Sequence, residues 1–252
     1  MSDLTRRVTH GRGHSYYLDG NRVPGVTTAI GEGFPKPALI NWAANVTIDY
    51  ALDYWDELKE LQPSVRRKRM AGARDEDRDV AARRGTEVHA LAAAHALGKE
   101  ILVPEELEGH VRSYERFVEE WAPVEQLVEV VCVNRRYRYM GTFDVIGTLG
   151  EETWLYDLKT TRSGVFSENA LQLAGYRYAE TYIGADGEEH PMPEIDRCGV
   201  LWLRSDGYDF IPVDVGRDEF KVFLYTLGIA NWRGGIGKDV VGEALEPSRV
   251  AA

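Results

Sequence analysis

The sequence predicts an α/β protein in which a central mixed β-sheet is flanked by helices and preceded by a helical amino-terminal region. Two patterns support this class. Much of the chain up to residue 121 carries apolar residues at helical spacing, whereas the part that follows alternates short β-prone segments with two amphipathic helices. The length of 252 residues allows one sizeable core, so we expect a single domain over residues 1–252.

The amino-terminal part, residues 1–121, is expected to be mainly helical. It opens with β-prone residues on both sides of Asp19-Gly20-Asn21, a pattern that predicts a hairpin. From Pro37 onwards the apolar residues recur at helical spacing. A second helix is expected after Asp75, ending near Gly98, because glycine is common just past a helix end. A third is expected over residues 104–121.

Residues 122–232 are expected to form a β-rich core. Three β-branched or aromatic segments follow one another, and antiparallel pairing is the simplest way to connect them. A helix, two more strands and a closing helix complete the order β-β-β-α-β-β-α, and residues 233–252 are expected to form a flexible tail. The segments are QLVEVVCVN, YRYMGTFDVIGTL, TWLYDLKT, SENALQLAGYRYAETYIG, RCGVLWLRS, YDFIPVDV and DEFKVFLYTLGIANWR.

The charge of the chain bears on its partners. A net charge of −11 argues against a polyanionic partner, because phosphate contacts need Lys and Arg. The basic residues are clustered, however, at residues 66–69, at residues 83–84 and at residues 135–138. Bound divalent cations would also reverse the sign of a local cluster of carboxylates. An anionic partner therefore depends on local basic patches and bound metal.

Cysteine content and hydropathy restrict the cofactor and the location. Cys132 and Cys198 are the only cysteines, so one chain cannot supply the four thiolates of an iron–sulfur cluster. No segment approaches the ~20 apolar residues that span a bilayer, and the start has no signal-peptide core. We therefore expect a cytoplasmic protein that does not bind a membrane.

Two neighbouring predicted strands carry carboxylates. In an extended strand Asp157 and Lys159 project to the same face while Leu158 turns into the core. A solvent-facing ion pair would show the same triplet. Asp144 lies in the preceding apolar strand, where a carboxylate must be hydrogen-bonded, neutralised or bound to a metal, unless it is a turn residue at the strand end. Together, Asp144 and Asp157 would supply the oxygen ligands that Mg²⁺ or Mn²⁺ prefers.

Three further polar residues lie on predicted helices. His89 belongs to a helix of small residues, with Gly85 on the same face. Gln172 and Tyr176 are spaced i and i+4 on the helix after the three strands, and so share one face. Taken singly, the histidine fits a packed structural role, and the pair fits a half-buried amphipathic helix.

The order of these motifs resembles that of RecB-type nucleases in the PD-(D/E)xK superfamily. The resemblance covers residues 85–178, and the segment HSYYLDGNRVPGVTTAI is similar to the opening of RecB-like exonucleases of actinobacterial phages. It implies a restriction-endonuclease-like core. Related CRISPR adaptation nucleases hold an iron–sulfur cluster on four cysteines, which this chain cannot match. The motifs are G-T-x-x-H ending at His89, G-x-x-D ending at Asp144, D-x-K ending at Lys159 and Q-x-x-x-Y ending at Tyr176.

The resemblance implies a role for each site residue. Lys159 would orient the attacking water or help to deprotonate it. Gln172 and Tyr176 would bind the substrate by steadying the DNA backbone or the catalytic groups. The implied catalytic residues are Asp144, Asp157 and Lys159. The implied metal ligands, for Mg²⁺ or Mn²⁺, are His89, Asp144, Asp157 and the backbone carbonyl of Leu158.

The resemblance also implies an activity. The chain would hydrolyse phosphodiester bonds of single- or double-stranded DNA, as an exonuclease acting at ends in recombination, repair or phage DNA metabolism. A structure-specific endonuclease and a non-catalytic DNA-binding or assembly protein remain alternatives. A homo-oligomer and a recombination partner protein are both compatible with it. The implied location is the cytoplasm of a bacterium or of a phage-infected host cell.

Overall fold

The computed structural model describes residues 4–11 and 13–244. Its first three strands, β1 (Arg6–His10), β2 (Gly13–Leu18) and β3 (Asn21–Val23), form an antiparallel sheet in the order β1-β2-β3. Asp19 and Gly20 join β2 to β3 with φ values of 51° and 79°, the positive range that a tight two-residue hairpin turn uses. The predicted hairpin is confirmed, and β1 extends it to three strands.

Among the described residues, five α-helices precede the main sheet, and the first was not predicted. Its segment begins with Val26, Thr27 and Thr28, whose β-branched side chains favour strands. The buried residues Val26 and Ile30 pack it into the core, and this tertiary packing outweighs the local preference. The helices are α1 (Val26–Gly33), α2 (Pro37–Asp53), α3 (Trp55–Leu58), α4 (Pro63–Ala96) and α5 (Glu108–Trp121).

Helix α4 starts earlier than the sequence predicted. It begins at Pro63, not after Asp75, and runs for 34 residues. Its first half is charged all round and shows no apolar stripe, so hydrophobic periodicity did not reveal it. Proline suits the first turn of a helix, where no N–H is needed for the ladder. Arg78 lies 3.0 Å from Asp75, one turn away on this polar part of the helix.

The main sheet has seven strands in the order β10-β9-β6-β5-β4-β7-β8. Neighbours pair antiparallel except β6 and β9, which are parallel, so the predicted mixed sheet flanked by helices is confirmed. The strands are β4 (Val124–Asn134), β5 (Tyr139–Leu149), β6 (Glu152–Lys159), β7 (Thr181–Ile183), β8 (Glu189–Pro191), β9 (Arg197–Arg204) and β10 (Gly207–Val213). Helix α6 (Glu168–Arg177) follows β6, and α7 (Arg217–Gly234) follows β10.

Strands β7 and β8, which were not predicted, correct the predicted order. The segment expected to stay helical as far as Gly184 leaves the helix at Arg177, and Thr181–Ile183 pairs with β4. The observed order after α5 is therefore β-β-β-α-β-β-β-β-α. A three-residue strand is too short to show its own periodicity, so pairing with β4 and β8 defines it.

Helices cover both faces of the main sheet. One apolar cluster joins the sheet to α1, α6 and α7 and includes Phe143 and Phe223. A second joins the opposite face to α4 and α5 and includes Phe117, Tyr156 and Leu158. Burial on both faces explains why the central strands are apolar nearly throughout. Within the described ranges, no helix has the length and apolar character needed to cross a membrane.

The segment expected to be a flexible tail, residues 233–252, is described only in part. Arg233 and Gly234 end α7, and Ile236–Lys238 form a short 3-10 turn. Residues 245–252 lie outside the described part of the chain.

Candidate metal-dependent active site

The site lies where two central strands part. Strands β5 and β6 pair from Leu149 opposite Glu152 as far as Val145 opposite Tyr156. Asp144 and Asp157 come directly after this last pair, on their separate strands. On its other side β6 pairs with β9 from Trp154 to Lys159, and this pairing continues beyond the point where β5 leaves. The divergence of β5 and β6 therefore leaves space between the two aspartates.

Asp144 is held by backbone and side-chain contacts. Its Oδ2 accepts a 2.7 Å hydrogen bond from the backbone N–H of Leu158 and lies 3.4 Å from His89 Nδ1. Burial by itself would raise the pKa of this carboxyl. The nearby His89, the Lys159 ammonium and the Leu158 N–H outweigh burial and hold the pKa below its usual range. Asp144 is therefore ionised at neutral pH and can serve as a ligand.

Asp157 and Lys159 form an ion pair on one face of β6, as the strand alternation predicted. Lys159 Nζ lies 2.5 Å from Asp157 Oδ2. Asp157 Oδ2 is buried, and the Lys159 ammonium compensates its charge. Burial, reinforced by the Asp144 charge, raises the pKa of Asp157 to about 6. The buried carboxylates of Asp144 and Asp157 repel each other, and this repulsion favours the binding of a further positive charge beside them.

The Lys159 ammonium stays charged. Burial lowers its pKa, but the carboxylates of Asp157 and Asp144 more than compensate, and the pKa lies above its usual value. Leu158, between the two charged residues, has its side chain buried in the core. This alternation leaves only polar groups from this part of β6 facing the cleft.

His89 approaches the aspartates from the second half of α4. Its Nδ1 is 3.4 Å from Asp144 Oδ2 and 3.8 Å from Glu129 Oε1. Burial lowers the pKa of the imidazole, but the surrounding carboxylates, Asp144 first, raise it well above its usual value. A histidine must be neutral to bind a metal, so a bound cation would displace this proton.

Glu129 is a site residue that the sequence analysis missed. Ligand atoms of His89, Glu129 and Asp144 all lie within 4.8 Å of one another, a group that could hold a metal ion. Glu129 has a φ of 54° in the middle of β4, a left-handed conformation that costs ~1–2 kcal/mol for a residue with a Cβ. The β4–β5 pairs continue on either side, but Glu129 and Asp144 are not among them. A lone acidic residue within the apolar run of β4 was the available signal.

Gln172 and Tyr176 lie together on α6, as predicted from their spacing. Gln172 Nε2 donates to Asp157 Oδ1 over 2.7 Å and to the Tyr176 hydroxyl over 3.3 Å. Its Oε1 accepts from Lys159 Nζ at 3.1 Å. Tyr176 is buried, and burial together with the nearby Asp157 raises the pKa of its hydroxyl well above the usual value. Gln172 thus orders the ion pair, and its own position is set by Tyr176.

In the basic run at residues 66–69, Arg66 stabilises the local backbone. Arg66 donates hydrogen bonds to the backbone carbonyls of Leu58, Lys59 and Leu61, at 2.7, 2.7 and 3.1 Å. These are carbonyls at the end of α3 and in the loop that follows it, so this guanidinium fixes the connection to α4.

The other basic clusters differ in their distance from the cleft. Arg135 is paired with Asp19 and Glu189. Arg84 contacts the carbonyl of Thr160, next to Lys159, over 3.5 Å. From the opposite wall, the β1 residue Arg7 lines the cleft. Positive charge at the cleft therefore comes from separate elements and not from one predicted run.

The cleft is large enough to hold a cation together with an anionic group, and its side chains suit both. It is a cavity of about 600 Å³, and its lining includes His89, Glu129, Asp144, Asp157 and Lys159. Three carboxylates and an imidazole suit a divalent cation. The fold and the site together define a mixed α/β protein with a candidate divalent-metal centre beside a lysine.

The chain has low similarity to the solved structures that it matches. No family model matches the sequence, and no curated protein matches it either. The crystal structure of SSO0001 is 14% identical with a TM-score of 0.31, over 57% of this chain and 66% of that one. The crystal structure of an alkaline exonuclease (LHK-Exo) from Laribacter hongkongensis is 14% identical with a TM-score of 0.32, over 63% and 87%. Scores this low establish neither a common fold nor a common activity.

Proposed function

We propose that the chain is a Mg²⁺- or Mn²⁺-dependent nuclease, a RecB-like member of the PD-(D/E)xK superfamily, that hydrolyses DNA phosphodiester bonds. One observation carries the proposal: the parted ends of β5 and β6 bring Asp144, Asp157 and Lys159 together, and α4 adds His89 to the same cleft. A phosphodiester repels an anionic nucleophile, and this set combines cation ligands with a fixed positive charge.

The metal would be held by side chains and one backbone group. A bound cation would supply charge neutralisation at the phosphate and a lower pKa for a bound water. Asp144 is ionised, and the Leu158 N–H holds its Oδ2, so an oriented carboxylate would be available to the cation. The proposed ligands are His89, Asp144, Asp157 and the backbone carbonyl of Leu158, with Glu129 as an additional carboxylate.

Lys159 would act as a charged hydrogen-bond donor. Because its pKa lies above the usual value, it holds its proton at neutral pH and is a poor general base. It would orient the attacking water and stabilise negative charge on the phosphate as the P–O bond breaks. Gln172, hydrogen-bonded to both Lys159 and Asp157, would keep the donor aligned, and Tyr176 would support Gln172.

We propose DNA ends as the substrate and therefore an exonuclease, with residues 1–252 acting as one nuclease domain in the cytoplasm. A structure-specific endonuclease uses the same chemistry, and a non-catalytic DNA-binding protein would keep the fold without turnover. The gathering of Asp144, Asp157 and Lys159 in one cleft supports turnover, because titratable groups with shifted pKa values cluster at catalytic sites.

The test is hydrolysis of linear and circular DNA, single- and double-stranded, with Mg²⁺, with Mn²⁺ and with EDTA. We expect degradation of linear DNA that EDTA abolishes, and loss of at least about a hundredfold in Asp144→Ala and Lys159→Ala. Cleavage of circular single strands would favour the endonuclease. Undiminished activity in the two variants would refute the assignment.

Calorimetry separates the catalytic proposal from the binding protein. We expect the wild-type chain to bind Mn²⁺ and the Asp157→Ala variant to bind it more weakly. A chain with no affinity for Mg²⁺ or Mn²⁺ that still binds DNA would favour the non-catalytic alternative.

A further inference from the structure

Helix α2 exposes an apolar face that nothing in the described structure covers. None of its 17 residues is buried, although apolar residues dominate it. We call one exposed row the α2 crest: Ile40, Ala44, Ile48 and Leu52, which follow one another at i, i+4 spacing and so share a face. Ile40 is 74% exposed and Leu52 is 73% exposed. Monomeric proteins rarely leave such a contiguous apolar row open to water.

The crest separates two grooves of opposite charge, each formed between α2 and α4. We call the first the arginine groove. It consists of two cavities that share Thr47 and Arg74; Met70 lines one of them from α4, and Ile48 lines the other from α2. Its charged lining residues are Arg66, Arg67 and Arg74. Arg66 is fixed by backbone carbonyls, and Arg74 Nε lies 3.9 Å from Asp75 Oδ1, so the groove keeps a positive lining after this one ion pair is counted.

We call the second the acidic groove, on the other side of α2. Asn45 and Tyr50 line it together with four carboxylates and Arg162, which lies 3.4 Å from Asp77. The carboxylates are Asp49, Asp53, Glu76 and Asp77. The groove therefore remains negative after this one ion pair is counted.

We propose that the α2 crest is the interface of a homodimer with twofold symmetry. The twofold axis runs parallel to α2 in the plane of contact, so the α2 crest of one copy packs against the α2 crest of the other. The same rotation places the arginine groove of each copy opposite the acidic groove of the other. Every pairing occurs twice, as an isologous contact requires. Charged rims around a desolvated apolar centre are the usual anatomy of a specific protein interface.

The charge pattern selects a second copy over other occupants. Nucleic acid would meet the negative groove beside the crest, which repels phosphate. An anionic lipid surface would be repelled in the same way. A surface with an apolar centre and oppositely charged sides is complementary to itself. The inference does not depend on the proposed nuclease activity.

Sedimentation velocity on the full chain tests the crest. We expect a dimer for wild type and a monomer for Ile48→Asp, with circular dichroism showing that the variant is folded. The matched control is Ile229→Asp, which alters a residue of α7 that is 44% exposed and should leave the dimer intact. A wild-type chain that stays monomeric at every concentration, or an Ile48→Asp variant that dimerises like wild type, overturns the proposal.

Charge reversal tests the pairing of the grooves. Arg74→Glu and Asp49→Lys should each weaken dimerisation by about tenfold, because each places like charges across the interface. The double variant Arg74→Glu/Asp49→Lys should recover most of the loss. A double variant weaker than both single variants would refute the opposed grooves. A monomeric wild type that instead binds duplex DNA or anionic vesicles through the crest would refute the dimer.

Discussion

The backbone N–H of Leu158 donates a 2.7 Å hydrogen bond to Asp144 Oδ2. This contact lies just beyond the last β5–β6 pair, so a side-chain acceptor takes the place of a ladder bond where the strands separate. Leu158 lies between Asp157 and Lys159, and its backbone N–H therefore orients the carboxylate of Asp144 on the neighbouring strand. The two motifs form one unit through a backbone contact that no side-chain pattern could reveal.

Because of this contact, the effect of Asp144 on protein stability can be measured apart from its effect on metal binding. Asp144→Asn keeps an oxygen for the Leu158 N–H, so we expect little loss of stability. Asp144→Ala leaves that N–H unsatisfied and should cost ~1–3 kcal/mol in the free energy of unfolding. Both variants should lose Mn²⁺ affinity. Urea unfolding and calorimetry measure the two effects, and an alanine variant as stable as the asparagine variant would contradict the role of the hydrogen bond.

At Glu129, too, the effect of a substitution on protein stability can be measured apart from its effect on metal binding. Glu129→Gly removes the left-handed strain at φ 54° and should raise the free energy of unfolding by up to ~1 kcal/mol. Glu129→Ala keeps the strain and serves as the control. Both lack the carboxylate, so both should bind Mn²⁺ more weakly than wild type. Equal metal affinity in all three proteins would remove Glu129 from the ligand set.

Gln172 is predicted to act through the residues it orders. Gln172→Ala removes the hydrogen bonds to Lys159 and Asp157, so kcat for DNA hydrolysis should fall about tenfold while KM changes little. The matched control is Gln126→Ala, at an exposed position of β4. A change confined to KM would instead place Gln172 in direct substrate binding.

Gly141 is predicted to be required by the packing of Tyr176. A Cβ at this position would lie 2.6 Å from Tyr176 Cε1 and 2.9 Å from Val26 Cγ2. Gly141→Ala should therefore destabilise the protein by ~1–3 kcal/mol. The control is Gly72→Ala in α4, where a Cβ meets nothing within 4 Å and should add up to ~1 kcal/mol of stability. Thermal unfolding of both variants provides the test.

The two cysteines are predicted to be unreactive in the native state. Burial raises the pKa of Cys132 to about 12 and that of Cys198 to about 11. Because the thiolate is the reactive form, about one Cys132 in 10⁴ is ionised at pH 8, and reactivity rises as the pH approaches the pKa. A thiol reagent at pH 8 should label neither cysteine until denaturant is added. Fast labelling before unfolding would contradict the burial of these side chains.

The sequence determined the fold class and much of the candidate site. Strand periodicity placed Asp157 and Lys159 on one face with Leu158 in the core, and helical spacing placed Gln172 beside Tyr176. These arrangements depend on residues two to four positions apart, where backbone geometry is the deciding factor. The roles of those residues in catalysis stay predictions until the variants are measured.

Tertiary structure decided what depends on distant contacts. Helix α1 forms against its β-branched sequence because the core buries it, and strand β7 exists because β4 and β8 pair with it. The left-handed Glu129 interrupts the β4–β5 pairing, and the Leu158 N–H contacts Asp144 where β5 and β6 separate. Local sequence carries no record of such a separation, because the free energy that stabilises it comes from partners far along the chain.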